Sequence, residues 1–245
     1  MLSDVGRVRL RNEDVVFCDV ERRIAVLADG MGGYAGGALA ARLAVSAWRE
    51  EIAAHAIAEL NEAVLGSAVD CANRVVLQAA AEEPLFRNMG TTLVGGYFRP
   101  DGILLACHVG DSRLYRLRDE VLDCMTRDHS VLRAQCDAGI IESEAEGDPT
   151  LRGMLTRAVG VEAGVVPDVL ATRLRPGDIY LLCSDGLTEM LEMADIADIL
   201  LALGANLRLA AEHLVDLANE RGGTDNISVV IVSVHADRPS PALPA

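Results

Sequence analysis

The pattern of apolar and polar positions divides the chain into strand-like and helix-like regions. Short, nearly continuous apolar runs bounded by turn residues predict β-strands. Such runs occupy residues 15–20, 23–28, 92–98, 103–109, 112–117, 121–125, 179–184 and 227–235. Charged or Pro-Asp-Gly segments join the first six runs in consecutive pairs, which predicts three β-hairpins.

Helical periodicity dominates two other regions. Through residues 35–83 apolar side chains recur every three or four positions, which predicts two long amphipathic helices with a break near His55 or Ala58. A further helical stretch is expected at residues 195–220. Residues 128–160 are more polar and predict a helix-and-loop insertion.

Strands and helices occur in separate runs without regular alternation, which is typical of α+β folds with mainly antiparallel sheets. Two sheets packed face to face, with a helical layer outside each, would bury the apolar strands and the amphipathic helices. We therefore expect a four-layer α-β-β-α sandwich. We expect one domain over residues 1–237, with a flexible tail rich in Pro and Ala at residues 238–245.

Composition suggests the cellular setting. Of the 245 residues, 51% are hydrophobic, which is enough for a core without disulfides. The six cysteines are scattered without a Cys-x-x-Cys pair, a pattern typical of reduced thiols. The N-terminus shows no signal segment, and no stretch reaches the ~18 uninterrupted apolar residues of a membrane span. We therefore expect a cytoplasmic protein without a membrane partner.

The charge balance excludes several function classes. There are 37 acidic residues against 22 basic ones, a formal net charge of −15, and every basic residue is arginine. Without lysine the chain has neither a Schiff-base lysine nor the phosphate-binding lysine of a P-loop. An acidic protein is also poorly suited to nucleic acid, so we expect no nucleic-acid partner.

Acidic residues stand at the ends of several predicted strands, beside small residues. One Asp-Gly pair after a strand is typical of a simple turn, but the recurrence is harder to explain by turns alone. The residues are Asp29, Asp111, Asp185 and Asp225, with Glu13 and Asp14 directly before the first strand. If these ends converge, the carboxylates would repel one another unless cations were bound. Oxygen ligands favour Mg²⁺ or Mn²⁺, and two such ions ~3.5–4 Å apart are typical of phosphohydrolases.

Three competing interpretations fit less well. Residues 30–35, Gly-Met-Gly-Gly-Tyr-Ala, match the dinucleotide-binding pattern G-x-G-x-x-A, with Glu50 and Glu51 at about the required distance of twenty residues. However, the helix that follows leads into a second helix, where a βαβ unit needs a parallel strand. A D-x-D aspartyl-phosphate enzyme would need a second aspartate two residues after Asp29. An N-terminal nucleophile hydrolase would need Ser, Thr or Cys at its mature N-terminus.

Six short segments together carry a signal that none carries alone. They are Ser3-Asp4-Val5-Gly6 with Arg9 and Asn12-Glu13-Asp14; Ala28-Asp29-Gly30-Met31-Gly32-Gly33; Met89-Gly90-Thr91-Thr92; His108-Val109-Gly110-Asp111-Ser112-Arg113; Leu182-Cys183-Ser184-Asp185-Gly186-Leu187; and Gly222-Gly223-Thr224-Asp225-Asn226. In this order they resemble the metal-dependent Ser/Thr protein phosphatases of the protein phosphatase 2C type, particularly the compact bacterial members. The resemblance spans nearly all of residues 3–235.

The resemblance implies a β-sandwich with helices on both outer faces and a centre of two Mn²⁺ or Mg²⁺ ions in a cleft at one end. Asp29 would bridge the two ions, and Gly30 would offer its carbonyl oxygen. Asp185 and Asp225 would complete the ligands of one ion. Glu13 would serve the other ion directly or through water.

Further roles follow from the same resemblance. Asp111 would hold a third, weaker ion, and Asp14 would support the metal ligands without binding an ion directly. Arg9 would bind the substrate phosphate, for which the forked guanidinium is suited. Arg7 and Arg11 lie close enough in sequence to leave that assignment open. The residues assigned to catalysis are then Arg9, Asp29, Asp185 and Asp225.

The implied activity is hydrolysis of phosphoserine and phosphothreonine in proteins, opposing a Ser/Thr kinase, by a monomeric enzyme. Residues 128–160 correspond to the family's flap beside the active site, where we expect substrate choice to be made. One position departs from the family, which commonly has His where this chain has Tyr34. Tyrosine is a poorer general acid at neutral pH. The alternative is therefore a non-catalytic phosphoprotein-binding regulatory module of the same fold.

Overall fold

Two five-stranded sheets form the centre of the molecule in the computed structural model, which describes residues 1–32, 36–56 and 59–236. The strands are β1 (Leu2–Asp4), β2 (Val15–Asp19), β3 (Ile24–Ala28), β4 (Gly30–Met31), β5 (Gly90–Thr91), β6 (Leu93–Phe98), β7 (Ile103–Val109), β8 (Arg113–Arg118), β9 (Val121–Cys124), β10 (Asp168–Arg173), β11 (Ile179–Cys183) and β12 (Ile227–Ser233). The helices are α1 (Gly36–Ala54), α2 (Glu62–Glu82), α3 (Val131–Asp137), α4 (Asp185–Thr188), α5 (Met193–Leu203) and α6 (Leu207–Glu220).

Both large sheets are antiparallel throughout their described strands. The first sheet has the order β1-β12-β11-β8-β9 and the second has the order β10-β7-β6-β3-β2, while β4 and β5 form a small separate ribbon. β3 pairs antiparallel with both β2 and β6, and α1 is followed by α2. The parallel βαβ unit that a dinucleotide site would need is therefore not formed here.

Each large sheet carries a helical layer on its outer face. Helices α1 and α2 pack on the second sheet, and α5 and α6 pack on the first. A separate apolar cluster, which includes Leu27 of β3 and Tyr180 of β11, fills the space between the sheets. These layers confirm the predicted α+β class and the four-layer sandwich.

A glycine in β6 allows α1 to approach the second sheet closely. Trp48 of α1 is fully buried, and a Cβ atom at Gly95 would lie only 2.9 Å from its ring. Burial of a tryptophan removes a large apolar area from water, so this contact ties the helix to the sheet. Asn61 caps the N-terminus of α2, and its side chain accepts a hydrogen bond from the Val64 N–H.

Most predicted elements are confirmed, with small shifts at their ends. The three hairpins form as β2-β3, β6-β7 and β8-β9. The helical stretch at residues 195–220 was predicted wrongly as continuous, because Asn206 starts a new helix by accepting a hydrogen bond from the Leu209 N–H at 3.2 Å. Strand β10 was not predicted, since three of its six residues are exposed and two are charged.

Some expectations fall on residues outside those that the structure describes. They concern Tyr34, Ala58 and the tail at residues 238–245. The break between the long helices is nevertheless placed, because α1 ends at Ala54. Among the described residues, no helix is both long and apolar enough to cross a membrane.

Candidate metal centre and active site

Acidic residues from both sheets meet in one cleft of about 880 Å³. In the second sheet, Asp29 directly follows β3, and Asp111 comes shortly after β7. Asp185 and Asp225 lie at the ends of β11 and β12 in the first sheet. The fold thus brings together the four aspartates that the sequence places at predicted strand ends.

Two threonines fix the backbone of Asp29. The Asp29 N–H donates to Thr92 Oγ1 at 3.0 Å, and the Thr92 N–H donates to the Asp29 carbonyl at 2.8 Å. Thr91 Oγ1 donates to the same carbonyl at 2.8 Å. Because both backbone groups are bonded, the Asp29 carboxylate projects into the cleft from a fixed point.

Asp185 faces Asp29 across the gap between the sheets. Asp185 is the first residue of α4, and its carboxylate is close enough to that of Asp29 for the two negative charges to repel each other. Burial raises the pKa of Asp29 well above its usual range, and the neighbouring carboxylates raise it further. The pKa of Asp185 is raised by burial and then by Asp225. A cation between these groups would relieve the repulsion that shifts both pKa values.

Asp14 lies behind this pair, at the start of β2. Only 8% of the residue is exposed, and its Oδ2 accepts a hydrogen bond from Ser184 Oγ at 2.8 Å. Burial raises the pKa of Asp14 to about 7. The charge of Asp14 in turn raises the pKa of Asp29.

Asp225 is held from both sides. Its Oδ1 accepts a hydrogen bond from the Asn226 N–H at 2.8 Å, and its Oδ2 accepts one from Arg9 Nη2 at 2.5 Å. The Arg9 side chain is 56% exposed and lies at the mouth of the cleft. The structure therefore places Arg9 in the site, paired with a carboxylate.

Glu13 and Gly30 lie where the first turn of α1 meets the cleft. A Cβ atom at Gly37 would stand 2.5 Å from Glu13 Oε2, and a Cβ atom at Gly30 would stand 2.1 Å from the Gly37 carbonyl oxygen. Only glycine permits this approach, which packs the backbone of Gly30 against the helix. Glu13 and Gly30 both line the same cleft as Asp29.

Asp111 follows a turn in which Gly110 has a φ of +101°. Burial raises the pKa of Asp111 to about 8, and the charge of Asp185 adds to this shift. Thr92 Oγ1 and Ser112 Oγ lie 2.7 Å apart, so the threonine that fixes Asp29 also contacts the turn that carries Asp111.

The donor set of the cleft fits a hard divalent cation. Two carboxylate oxygens, Asp14 Oδ1 and Asp185 Oδ1, are buried without a hydrogen-bond partner, so the site has unsatisfied acceptors. Over the residues that the structure describes, no three acidic residues of this cleft each bring a carboxylate oxygen within 4.8 Å of the others. Ions bound here would need water to complete their coordination, which is usual for Mg²⁺.

Several residues that line the cleft had no role in the sequence interpretation, among them Thr92, Asn226, Arg152 and Glu189. Thr92 and Asn226 belong to recognised segments, but their contacts join parts of the chain that are distant in sequence. Arg152 lines the cleft from the insertion at residues 128–160, and Glu189 follows α4. Burial raises the pKa of Glu189, and Asp185 raises it further. Neither charged residue carried a sequence signal that separates it from an ordinary surface charge.

A second group of possible ligands lies close to the Gly110 turn. His108, His129 and Asp168 bring one ligand atom each within 4.8 Å of the others. His129 Nδ1 accepts a hydrogen bond from the Gly110 N–H at 3.1 Å, so the neutral ring carries its proton on Nε2. That atom faces Asp168 at 3.3 Å. A protonated Nε2 has no lone pair for a metal, so this geometry speaks against a metal site, and the contact with Asp168 is electrostatic.

Comparison with known proteins agrees with this site. Residues 7–217 match the family model for protein phosphatase 2C. The chain is 35% identical to the serine/threonine phosphatase stp of Listeria innocua, over 94% of this chain and 93% of that protein. It is also 35% identical to a crystal structure of the Mycobacterium tuberculosis serine/threonine phosphatase PstP/Ppp, with a TM-score of 0.86 and coverage of 96% and 97%.

A structure of the catalytic domain of PstP in complex with two manganese ions is 34% identical, with a TM-score of 0.85 and coverage of 96% of each chain. The fold is an antiparallel sandwich with an acidic cleft between its sheets. Together with these matches, it defines a metal-dependent phosphatase. The chain belongs to the protein phosphatase 2C family. The predicted family and enzyme class are thereby confirmed, and the non-catalytic alternative is not favoured.

Proposed function

We propose that this chain hydrolyses phosphoserine and phosphothreonine in proteins with the help of two Mn²⁺ or Mg²⁺ ions. The observation that carries the proposal is the buried Asp29–Asp185 carboxyl pair, which lies between the two sheets and has unsatisfied acceptor capacity beside it. The names of the relatives support the same reaction, and the manganese complex of PstP supports the same metal.

The proposed ligands are the residues that line the acidic floor of the cleft. Asp29 would bridge two ions, with Asp185 and Asp225 on one side and Glu13 and the Gly30 carbonyl on the other. When bound, the ions supply a polarised water for attack on phosphorus and offset the charge of the phosphate.

Three further residues would support the reaction. Asp111 would contribute to a third, weaker ion. Asp14 would support the metal ligands from behind Asp29, where its carboxylate is buried and bonded to Ser184. Arg9 would bind two phosphate oxygens through its guanidinium, which the exposed position of its side chain at the cleft mouth allows.

The cellular role is part of the same proposal. Residues 1–237 would act as one catalytic domain, with residues 128–160 as a flap that contributes Arg152 to the cleft wall. The substrates would be phosphoproteins in the cytoplasm, including a Ser/Thr kinase or its targets, and the enzyme would act as a monomer. Neither nucleic acid nor membrane would be a partner.

The test is hydrolysis of a phosphothreonine peptide and of an aryl phosphate in the presence of Mn²⁺. Asp29→Asn should abolish Mn²⁺-dependent turnover of both substrates. The matched control is Asp101→Asn, an aspartate in the β6-β7 turn that pairs with Arg99 and should leave turnover unchanged. Equal activity of Asp29→Asn and wild type would refute the proposal. Tight phosphopeptide binding without turnover, with turnover restored by Tyr34→His, would favour the regulatory module.

A further inference from the structure

One buried side chain holds the loop that carries both Arg9 and Glu13. The loop connects β1 to β2 and runs along the cleft. Asn226 Nδ2 donates to the carbonyl oxygens of Val5 and Arg11, each at 2.9 Å. Its Oδ1 accepts a hydrogen bond from the Glu13 N–H at 2.8 Å. A single amide group thus bonds the loop at Val5, near its beginning, and at Arg11 and Glu13, near its end.

These three bonds use both N–H donors of the amide and one lone pair of its oxygen. Asn226 is only 4% exposed, so a lost bond would leave a buried polar group unpaired. The carbonyl oxygens of Val5 and Arg11 each need a hydrogen-bond donor from the side chain at position 226, and the Glu13 N–H needs an acceptor. Among side chains of this size, asparagine alone offers two donors and an acceptor together.

The loop has no sheet ladder of its own between β1 and β2. A further backbone contact is made by the Arg7 N–H, which donates to the Gly223 carbonyl at 2.7 Å, three residues before Asn226. The Arg9 guanidinium reaches Asp225 from this loop. Since Asp225 and Asn226 are adjacent, one dipeptide would present a metal ligand and hold the loop that binds phosphate.

We infer that Asn226 is a positioning residue that sets the place of Arg9, and with it the phosphate subsite, by fixing residues 5–13. The inference rests on the proposed function, since it takes Arg9 as the phosphate-binding group. Asn226 acts through the loop and does not touch the reacting atoms.

The test is a double-mutant cycle between Asn226→Ala and Arg9→Ala on phosphothreonine peptide hydrolysis with Mn²⁺. Arg9→Ala should lower kcat/KM by about 10- to 100-fold, because a charge-assisted pair of hydrogen bonds is lost. Asn226→Ala alone should lower kcat/KM by about 10-fold or more, mainly through KM. In the Arg9→Ala background the same substitution should cost less than about threefold, because the group it positions is gone.

A matched control is Asn73→Ala. Asn73 is also a buried asparagine with two backbone bonds, to Glu162 O and Gly160 N, and it lies on α2 away from the cleft. Its effect on stability should resemble that of Asn226→Ala, and its effect on kcat/KM should combine with Arg9→Ala additively within about twofold. Thermal melting of every variant is the control that each one is folded.

Asn226→Asp gives a second route if Asn226→Ala does not fold. It keeps the oxygen that accepts from Glu13 and loses both donors, so it should raise KM and couple to Arg9→Ala in the same way. Calorimetric titration of Mn²⁺ adds a readout apart from activity, and Asn226→Ala should bind Mn²⁺ more weakly because it loses the oxygen that holds the Glu13 N–H. Full additivity with Arg9→Ala would overturn the inference. A normal KM in Arg9→Ala would instead contradict the proposed role of Arg9.

Discussion

Removal of the Thr92 hydroxyl group tests how the backbone of Asp29 is held in place, because it leaves the charge of Asp29 unchanged. Thr92 is 4% exposed, and its Oγ1 both accepts from the Asp29 N–H at 3.0 Å and lies 2.7 Å from Ser112 Oγ. Thr92→Val keeps the shape of the side chain but leaves the buried Asp29 N–H unpaired. Two hydrogen bonds are lost, to the Asp29 N–H and to Ser112 Oγ, and with the unpaired donor they should together cost about 3 kcal/mol of the free energy of unfolding.

For a domain of this size, that loss lowers the melting temperature by roughly 6–12 °C. The assay is thermal melting followed by circular dichroism, with urea unfolding for the free energy. Mn²⁺-dependent aryl phosphate hydrolysis should also fall, because Asp29 loses one of its backbone anchors. Ser112→Ala removes only the bond to Thr92 and should cost about 1 kcal/mol.

Thr92→Ser is the rescue variant, because it retains the hydroxyl group and should keep most of the activity. The reasoning would be refuted if Thr92→Val melted with wild type, or if Thr92→Ser lost as much activity as Thr92→Val.

Three further substitutions test the fold away from the cleft. Asp178 is 1% exposed, and although burial opposes ionisation, its bonds to Arg118 lower its pKa. Asp178→Asn should therefore cost about 3 kcal/mol at pH 7. This difference from wild type should shrink as pH falls below about 4, where the unfolded carboxyl becomes protonated, and a pH-independent difference in urea unfolding would contradict it. Gly95→Ala should destabilise the protein by about 1–3 kcal/mol, because the new methyl group meets Trp48 at 2.9 Å. Gly66→Ala, in α2 with open space around it, should stabilise by about 0.5–1 kcal/mol, and equal melting of the two variants would count against the packing described.

The layers of the fold could be predicted because periodicity reports which face of each element is buried. The apolar runs of β3 and β11, and the three-to-four spacing in α1 and α2, are strong local signals. Strand β10 has no such signal, since charged residues stand at both of its ends and half of its residues are exposed at the edge of its sheet. The break before α6 did have one, because Asn206 is a favourable N-cap residue.

The acidic floor of the site could be anticipated because each aspartate stands at a strand end, where a local pattern marks it. Contacts across long sequence distances left no such mark. Asn226 meets Glu13 across 213 positions, and Thr92 meets Asp29 across 63. Only the stacking of the two sheets brings these side chains together, so their roles could not be read from local spacing.

The most direct test of a two-metal phosphatase site is anomalous diffraction at the manganese edge from crystals grown with Mn²⁺. We expect two strong peaks in the cleft, adjacent to Asp29, with Asp185 and Asp225 as neighbours of one of them. Crystals of Asp29→Asn should lose at least one of these peaks. Absence of manganese from the cleft of the wild-type protein, or peaks beside His129 and Asp168 instead, would contradict the central claim.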